Sequence, residues 1–365
     1  MAPNLFRIGL LIGANQIGGA ERQVLLLAQG IREKKIPLTV FFMSRPRSKQ
    51  KGCCFDFTTV PFKYLWDSRY SRYLSIAYFA LLLKMKKIDI LHMFNLGAIE
   101  YGLPAAHIAG VKRTIGSVRG ILFTEEKQIQ NRLKTVCQKI HYVTCNCHAI
   151  KDLLVKLQVC QPEKIKVIHN GIAIKEQLKS SKSDYFTVMF VGTLKKVKDP
   201  LTFIKSALKV LETHPECRFI IVGEGPLMQA MRQVTEHSNY QKQFYFLGSV
   251  PQDKIPYEDA HLLVSTSLRE GSSNAVLEAL SNGVPVVGTA VGGTTELLSA
   301  CSFGRMVSPG NIDAIAEAIK EFYNKTPSEL NKIGEDARIF IRTQYSIEQM
   351  VNNHLSFYEE MAKKW

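Results

Sequence analysis

Ser265-Thr266-Ser267-Leu268-Arg269-Glu270-Gly271-Ser272-Ser273-Asn274-Ala275-Val276-Leu277-Glu278-Ala279-Leu280 joins an apolar run to an amphipathic one and carries a carboxylate on each side of the joint. The run 261–265 reads as a buried strand. The segment 273–282 reads as a helix, its start marked by Ser272, Ser273 and Asn274 and its end by Gly283. Glu270 therefore belongs to the loop after a strand and Glu278 to the following helix, so both can face one cleft. An ionised carboxylate accepts hydrogen bonds from neighbouring hydroxyls, and amides at 271–274 can hold a phosphate, which points to a polyhydroxylated, phosphorylated ligand. Two solvated glutamates beside a helix start would give the same local pattern.

Outward from this segment, strand-like and helix-like runs alternate. Strands are expected at 186–192, 218–222, 243–247, 261–265 and 284–288, with helices at 200–213, 226–237, 273–282 and 311–324. The first half repeats the idea, with strands at 5–12, 38–43, 88–92, 114–118, 141–145 and 165–168, a helix at 20–34 and helical stretches between several of the later strands. Such alternation predicts an α/β chain of parallel, doubly wound sheets. The polar stretch 175–184 lacks apolar periodicity and reads as a linker. The expected domains are 1–174 and 185–345, followed by a closing amphipathic helix over 346–365, with the ligand expected in an interdomain cleft at the carboxyl ends of the strands.

The 365 residues, 46% hydrophobic and 22% charged, suit two ordinary cores and exclude a lone small module or a largely disordered chain. The apolar run Ile76–Leu83 stops at Lys84, far short of the roughly 20 residues that span a bilayer. Residues 1–7 do not have the order of a secretory leader, and the expected location is cytoplasmic. The eight cysteines follow neither a secreted disulfide pattern nor paired zinc knuckles. Cys145-Asn146-Cys147-His148 invites a metal, but adjacent strand residues alternate faces and no second ligand pair stands at a recognised spacing, so no metal site is assigned.

The net charge of +15 is uneven: residues 1–175 carry 27 basic and 10 acidic side chains, residues 176–365 carry 20 and 22. The first half is expected to meet an anion. Its charge gathers at Arg45, Arg47, Lys49 and Lys51, in the aromatic-interleaved run 63–73, and at Lys84, Lys86 and Lys87. Residues 63–87 suit contact with an anionic membrane surface, a solvated basic face, or stacking on single-stranded nucleic acid. No nucleic-acid motif is present, and a nucleic-acid partner is not expected.

Three glycine loops narrow the chemistry, and Gly292-Gly293-Thr294-Thr295-Glu296 supplies one more turn and another acid. Gly13-Ala-Asn-Gln-Ile-Gly18-Gly19-Ala20-Glu21 joins a strand to a helix and can approach a phosphate through its backbone. It has Ala20-Glu21 where an NTP-hydrolysing loop needs Lys-Ser/Thr, and it lacks the GxGxxG spacing of a dinucleotide site. In the second half, Gly192-Thr193-Leu194-Lys195-Lys196-Val197-Lys198 follows a strand and puts Lys198 within reach of an anion; Gly223-Glu224-Gly225-Pro226 follows another, with Pro226 suited to a first helical turn.

In order, Gly192 with Lys198, Gly223-Glu-Gly-Pro226, Phe246-Leu-Gly248-Ser-Val250, Glu270-x7-Glu278, Gly283-Val-Pro-Val-Val287 and Gly292-Gly293-x2-Glu296 resemble the donor half of the retaining glycosyltransferases of family 4. Gly18-Gly19-Ala20-Glu21 and His169-Asn170-Gly171 extend the likeness over nearly the whole chain. The resemblance implies a GT-B fold of two Rossmann-like domains. It implies Glu270 on the donor sugar, Glu278 on the ribose hydroxyls, Lys198 on the diphosphate, and Gly271, Ser272, Ser273 and Asn274 on sugar and phosphates. Gly18 and Gly19 would approach the diphosphate from the first domain, and the base would sit near Val250. It also implies retention of anomeric configuration without an obligatory metal.

The chain departs from the family's pattern at Thr193, where Arg is frequent, and at Arg119, where His is frequent; His92-Met93-Phe94 keeps one of an expected His-x-His pair. Thr193 would leave part of the diphosphate to Lys195 or Lys196, Arg119 would hold phosphate or sugar, and His92 would face the acceptor. The expected activity is transfer of a hexose or N-acetylhexosamine from a UDP- or GDP-sugar to a lipid-linked, lipopolysaccharide or polysaccharide acceptor. Lys84, Lys86 and Lys87 are expected at the acceptor and membrane side. A nucleotide-sugar epimerase of the same fold and a non-catalytic sugar-nucleotide or nucleic-acid binder are the alternatives.

Overall fold

The computed structural model describes residues 6–13, 18–43, 62–64, 72–120, 127–174, 185–299 and 303–363. The expected linker 175–184, the basic run Arg45–Lys51, most of the run 63–73, and Cys53, Cys54 and Cys301 lie outside the described residues. The chain forms two compact units, Met1–Gly171 with Ile347–Trp365, and Ile172–Ser346.

In the first unit, β1 (Ile8–Ile12), β2 (Leu38–Phe42), β3 (Phe62–Tyr64), β4 (Ile90–Phe94), β5 (Arg113–Val118), β6 (Tyr142–Cys145) and β7 (Ile165–Val167) form one parallel sheet in the order β3-β2-β1-β4-β5-β6-β7. Its helices are α1 (Gly19–Glu33), α2 (Arg72–Met85), α3 (Leu96–Ala109), α4 (Lys127–Lys139), α5 (His148–Lys156) and α12 (Ile347–Ala362). β1 and β4 are buried at every position because helices cover both faces. Residues of α2, α3, α4 and α5 build the core on one face, and residues of α1 and α12 build it on the other. The closing helix thus returns to the first unit, which its apolar pattern alone did not reveal. A Cβ at Gly30 would collide with Val351, so the close contact of α1 with α12 depends on that glycine.

The second unit has β8 (Thr187–Val191), β9 (Arg218–Val222), β10 (Phe244–Gly248), β11 (Leu262–Ser265), β12 (Val286–Thr289) and β13 (Gly304–Val307), parallel in the order β10-β9-β8-β11-β12-β13. Its helices are α6 (Pro200–Leu211), α7 (Met228–Glu236), α8 (Asn274–Ser281), α9 (Gly292–Ser299), α10 (Ile312–Tyr323) and α11 (Pro327–Gln344). In both units the order reverses beside the first strand, the doubly wound arrangement expected from the alternation. The reversal falls between β1 and β4 in one unit and between β8 and β11 in the other.

Four elements escaped the sequence pattern. β3 is a three-residue edge strand, and β13 (Gly-Arg-Met-Val) buries only Val307 fully, so neither produces an apolar run. α9 begins on Gly292-Gly293, which read as a turn. α11 buries Leu330, Gly334, Ala337 and Ile341, a seam at helical spacing in which two members are too small to register as apolar. Its start was nevertheless written in the chain: Thr326 and Glu329 form a capping box around Pro327 at the first helical position.

Candidate functional site

Open parallel sheets bind ligands outside the carboxyl ends of their strands, where the strand order reverses. In the second unit this point lies between the segments that leave β8 and β11, and the chain ties them together. The buried Thr266 hydroxyl donates to the Lys198 carbonyl (2.9 Å) and the Asp199 carbonyl (2.8 Å), and the Leu268 amide donates to the Val197 carbonyl (2.9 Å). Asp199 takes a left-handed conformation (φ 45°) immediately before Pro200, a strained turn that these bonds hold. The turn presents Lys198, whose ammonium pairs with the Glu270 carboxylate; the Ser267 hydroxyl donates to the same Glu270 Oε2 at 3.3 Å. Lys198 and Glu270 keep 24% and 16% of their side-chain surface, so the pair is sheltered but open to a ligand.

The other flank of the Glu270 loop is fixed by β12 and α9. Thr289 donates to the Ser267 carbonyl, and the Gly293 amide donates to the Gly271 carbonyl. Gly292 has φ +50°, and a Cβ there would collide with the Glu270 carbonyl oxygen. Gly292-Gly293, read from sequence as one more turn, is the clamp that sets the Glu270 backbone. Sequence pattern missed this role because it depends on contact across the strand ends.

Glu278 is 7% exposed on α8, and the Tyr257 hydroxyl donates to its Oε2 at 2.9 Å. Tyr257 stands 21 residues upstream in a one-turn 3-10 helix, and no spacing rule connects the two. α8 begins at Asn274; Ser273 occupies the cap position, buried, with no side-chain cap hydrogen bond. Gly271 is buried and Ser272 half-buried, so the turn 271–274 leads from Glu270 directly into the helix start. Thr193, Lys195 and Lys196 are exposed on the loop after β8, and Val250 is half-buried after β10, packed on the core around α8. Gly223 (φ +137°) lies against the Gly192 carbonyl, where a Cβ would collide, and its amide donates to the Gly248 carbonyl (2.8 Å). The turns after β8, β9 and β10 are thereby drawn together. A cavity of about 380 Å³ opens at the opposite end of this sheet, beside His261, Gly283 and Arg338.

In the first unit, Gly18 and Gly19 open α1 and are exposed; the Glu21 carboxylate accepts the Gly18 amide at 3.0 Å. Arg119 follows β5, half-buried, with Nε 3.2 Å from Ser117 Oγ and Nη1 3.1 Å from Asn170 Oδ1. Burial lowers its guanidinium to about 10, opposed by Tyr358, Glu21 and Cys145. It remains a fixed cation at neutral pH.

His92 corrects an expectation. Its ring is fully buried on β4, with Nδ1 2.7 Å from Tyr358 Oη and Nε2 3.0 Å from Thr144 Oγ1. Burial first, then His354 and Arg119, push its pKa well below the ordinary value. It joins β4 to α12 inside the core rather than standing at the surface. Lys84, Lys86 and Lys87 are exposed at the end of α2, which runs to the amino ends of the strands, so they stand away from the Arg119 end of the sheet. Cys145 and Cys147 lie in the hydrophobic core with α5.

Two family models match: residues 17–176 fit the one described as Glycosyltransferase Family 4, and residues 173–340 fit Glycosyl transferases group 1. The chain is 27% identical over 304 residues to the Escherichia coli UDP-Gal:alpha-D-GlcNAc-diphosphoundecaprenol alpha-1,3-galactosyltransferase, covering 77% of this chain and 78% of that one. It is 27% identical over 198 residues to the gpi3 subunit of phosphatidylinositol N-acetylglucosaminyltransferase from Schizosaccharomyces pombe, covering 52% of this chain and 43% of that one. The crystal structure of Anabaena HepE in complex with UDP superposes with a TM-score of 0.82 at 18% identity, covering 97% and 100% of the two chains. Matched along both units, the chain belongs to the family-4 glycosyltransferases and has their GT-B fold.

Proposed function

We propose that this glycosyltransferase moves a hexose or N-acetylhexosamine from a UDP- or GDP-sugar to a lipid-linked, lipopolysaccharide or polysaccharide acceptor, with retention of configuration, at the inner face of a membrane. The observation that carries the reading is the Lys198–Glu270 pair set across the switch point of the second unit, immediately before the start of α8. A cation and a helix start at one place oppose the negative charge that grows on a departing diphosphate. Glu270 takes hydroxyls of the donor sugar, and Lys198 leaves it to meet the diphosphate. Glu278, oriented by Tyr257, takes the ribose hydroxyls. Amides of Gly271, Ser272, Ser273 and Asn274 hold sugar and phosphates, Thr193 with Lys195 and Lys196 adds to the diphosphate site, and backbone near Val250 meets the base. Within the first unit, Gly18, Gly19 and Arg119 are the residues proposed to meet phosphate or sugar.

The bond from the sugar C1 to the diphosphate oxygen breaks while the acceptor oxygen bonds to C1 on the same face. The acceptor proton passes to the leaving diphosphate. Lys198 and the helix start provide positive potential without an obligatory metal. Two similar proteins support the donor and acceptor classes: the Escherichia coli relative is a UDP-Gal:alpha-D-GlcNAc-diphosphoundecaprenol alpha-1,3-galactosyltransferase, and HepE is in complex with UDP.

Thermal unfolding with UDP, GDP, ADP and NAD, each with and without EDTA, tests the donor site. A ligand at one hundred times its Kd adds about 2.7 kcal/mol to the native state. The expected result is stabilisation by UDP or GDP that survives EDTA. Stabilisation by NAD alone, or by none, overturns the reading.

A further inference from the structure

α2 is apolar on both sides. Its inner face, Ser75, Ile76, Phe79, Ala80, Leu82 and Leu83, is buried against the sheet and α3. Its outer face carries Tyr73, Leu74, Leu81 and Met85, exposed by 82%, 58%, 55% and 67%. Leu74, Leu81 and Met85 recur at helical spacing and so lie along one side, where a surface helix ordinarily presents polar residues. No Asp or Glu occurs between Arg72 and Ile88, while Arg72, Lys84, Lys86 and Lys87 do, and all four are exposed. Beside the end of α2, Asp89 is paired with Lys112 at 3.0 Å.

We propose that the outer face of α2 docks on an anionic bilayer, with Leu74, Leu81 and Met85 inserted among the acyl chains and Lys84, Lys86 and Lys87 at the lipid phosphates. Charge complementarity selects this occupant. A helix lying in the membrane interface needs an apolar side and flanking cations, and α2 supplies both with no acid to repel the headgroups. The helix is 14 residues, about 21 Å at 1.5 Å per residue, too short to cross a bilayer and long enough to lie on one. The inference deepens the lipid-linked acceptor reading, since it would hold the enzyme on the surface that carries such an acceptor.

Flotation of the full chain with phosphatidylcholine vesicles, with and without phosphatidylglycerol, tests it. Binding is expected with the anionic lipid and is expected to weaken with salt. The triple change Leu74→Ser, Leu81→Ser, Met85→Ser abolishes flotation. Each of Lys84→Gln, Lys86→Gln and Lys87→Gln lowers the partition coefficient roughly fivefold. Ile339→Ser, which removes an exposed apolar residue of α11, leaves flotation unchanged. Absence of wild-type flotation at low salt, or flotation unaltered by the triple change, overturns the proposal. So does concentration-dependent self-association of the wild type that the triple change removes, because the face would then be covered by a second copy. UDP stabilisation measured on the same proteins separates the two readings: its failure in the wild type strikes the donor site alone, and its survival in the triple variant shows that lost flotation is not misfolding.

Discussion

Changing Lys198 and changing Glu270 have opposite consequences for the diphosphate although the two side chains touch. Lys198→Ala leaves a sheltered carboxylate with only Ser267 as its named donor and costs roughly 1–2 kcal/mol, less than a fully buried pair because both groups keep some solvent. It also removes a charge-assisted hydrogen bond, so UDP binding is expected to weaken by about tenfold to a hundredfold. Glu270→Gln frees the ammonium from its competitor; UDP binding is retained or strengthened while turnover falls on the order of a hundredfold. Titration calorimetry with UDP on both variants checks this, and equal weakening in both would mean that the pair is purely structural. Tyr257→Phe removes the hydroxyl that orients Glu278 and is expected to raise the UDP Kd about fivefold, with kcat unchanged. A Kd equal to wild type would show that Glu278 is oriented without it. The spacing of Glu270 and Glu278 was legible in the sequence because both stand on one strand-loop-helix unit. Tyr257 and the Gly292 clamp were not, because only the fold brings them to the loop.

At the scale of elements, α12 shows why a legible helix is not a legible partner. Its apolar spacing was plain, yet what it covers was decided by Gly30 on α1 and by the polar groups it buries. His354 on α12 and His92 on β4 are both fully enclosed, with Tyr358 between the helix and the strand. Burial holds His354 at about 3, with Arg119 acting in the same direction and its bond to the Met350 carbonyl opposing, and holds His92 well below its ordinary 6.5. The folded chain therefore keeps both rings neutral where the unfolded chain takes up protons. Their stability is complete above about pH 6.5 and declines as pH falls toward His354's folded value, by about 1.4 kcal/mol per pH unit for each ring. Urea midpoints between pH 7 and pH 5 should fall steeply, and His354→Gln should flatten the slope by about half of the two-ring effect. An unaltered slope in that variant would assign the acid sensitivity elsewhere. Expectation failed in the elements for a different reason: β13 and α11 bury too few large side chains to print a period, and β3 is only three residues long.

For the molecule as a whole, the chain passes between its units twice, at Gly171–Ile172 and again at Ser346–Ile347, and the second passage exists to deliver α12. The residues proposed for the donor lie mostly in the second unit, so loss of α12 separates folding of one unit from the chemistry of the other. Removing 347–365 strips the first unit of Met350, Val351, Leu355, Phe357, Tyr358 and Met361, all buried. At about 1.5–3 kcal/mol for each buried apolar side chain, an upper estimate, the loss is comparable to the whole stability of a domain. The truncated chain is therefore expected to expose its first unit to trypsin while a fragment close to residues 172–346 survives. If Lys198 and Glu278 hold most of the nucleotide, UDP should still raise the melting temperature of that fragment. Full protease resistance of the first unit would show that α12 is an accessory to its core. Survival of the fragment with no response to UDP would instead show that the second unit alone does not hold the diphosphate.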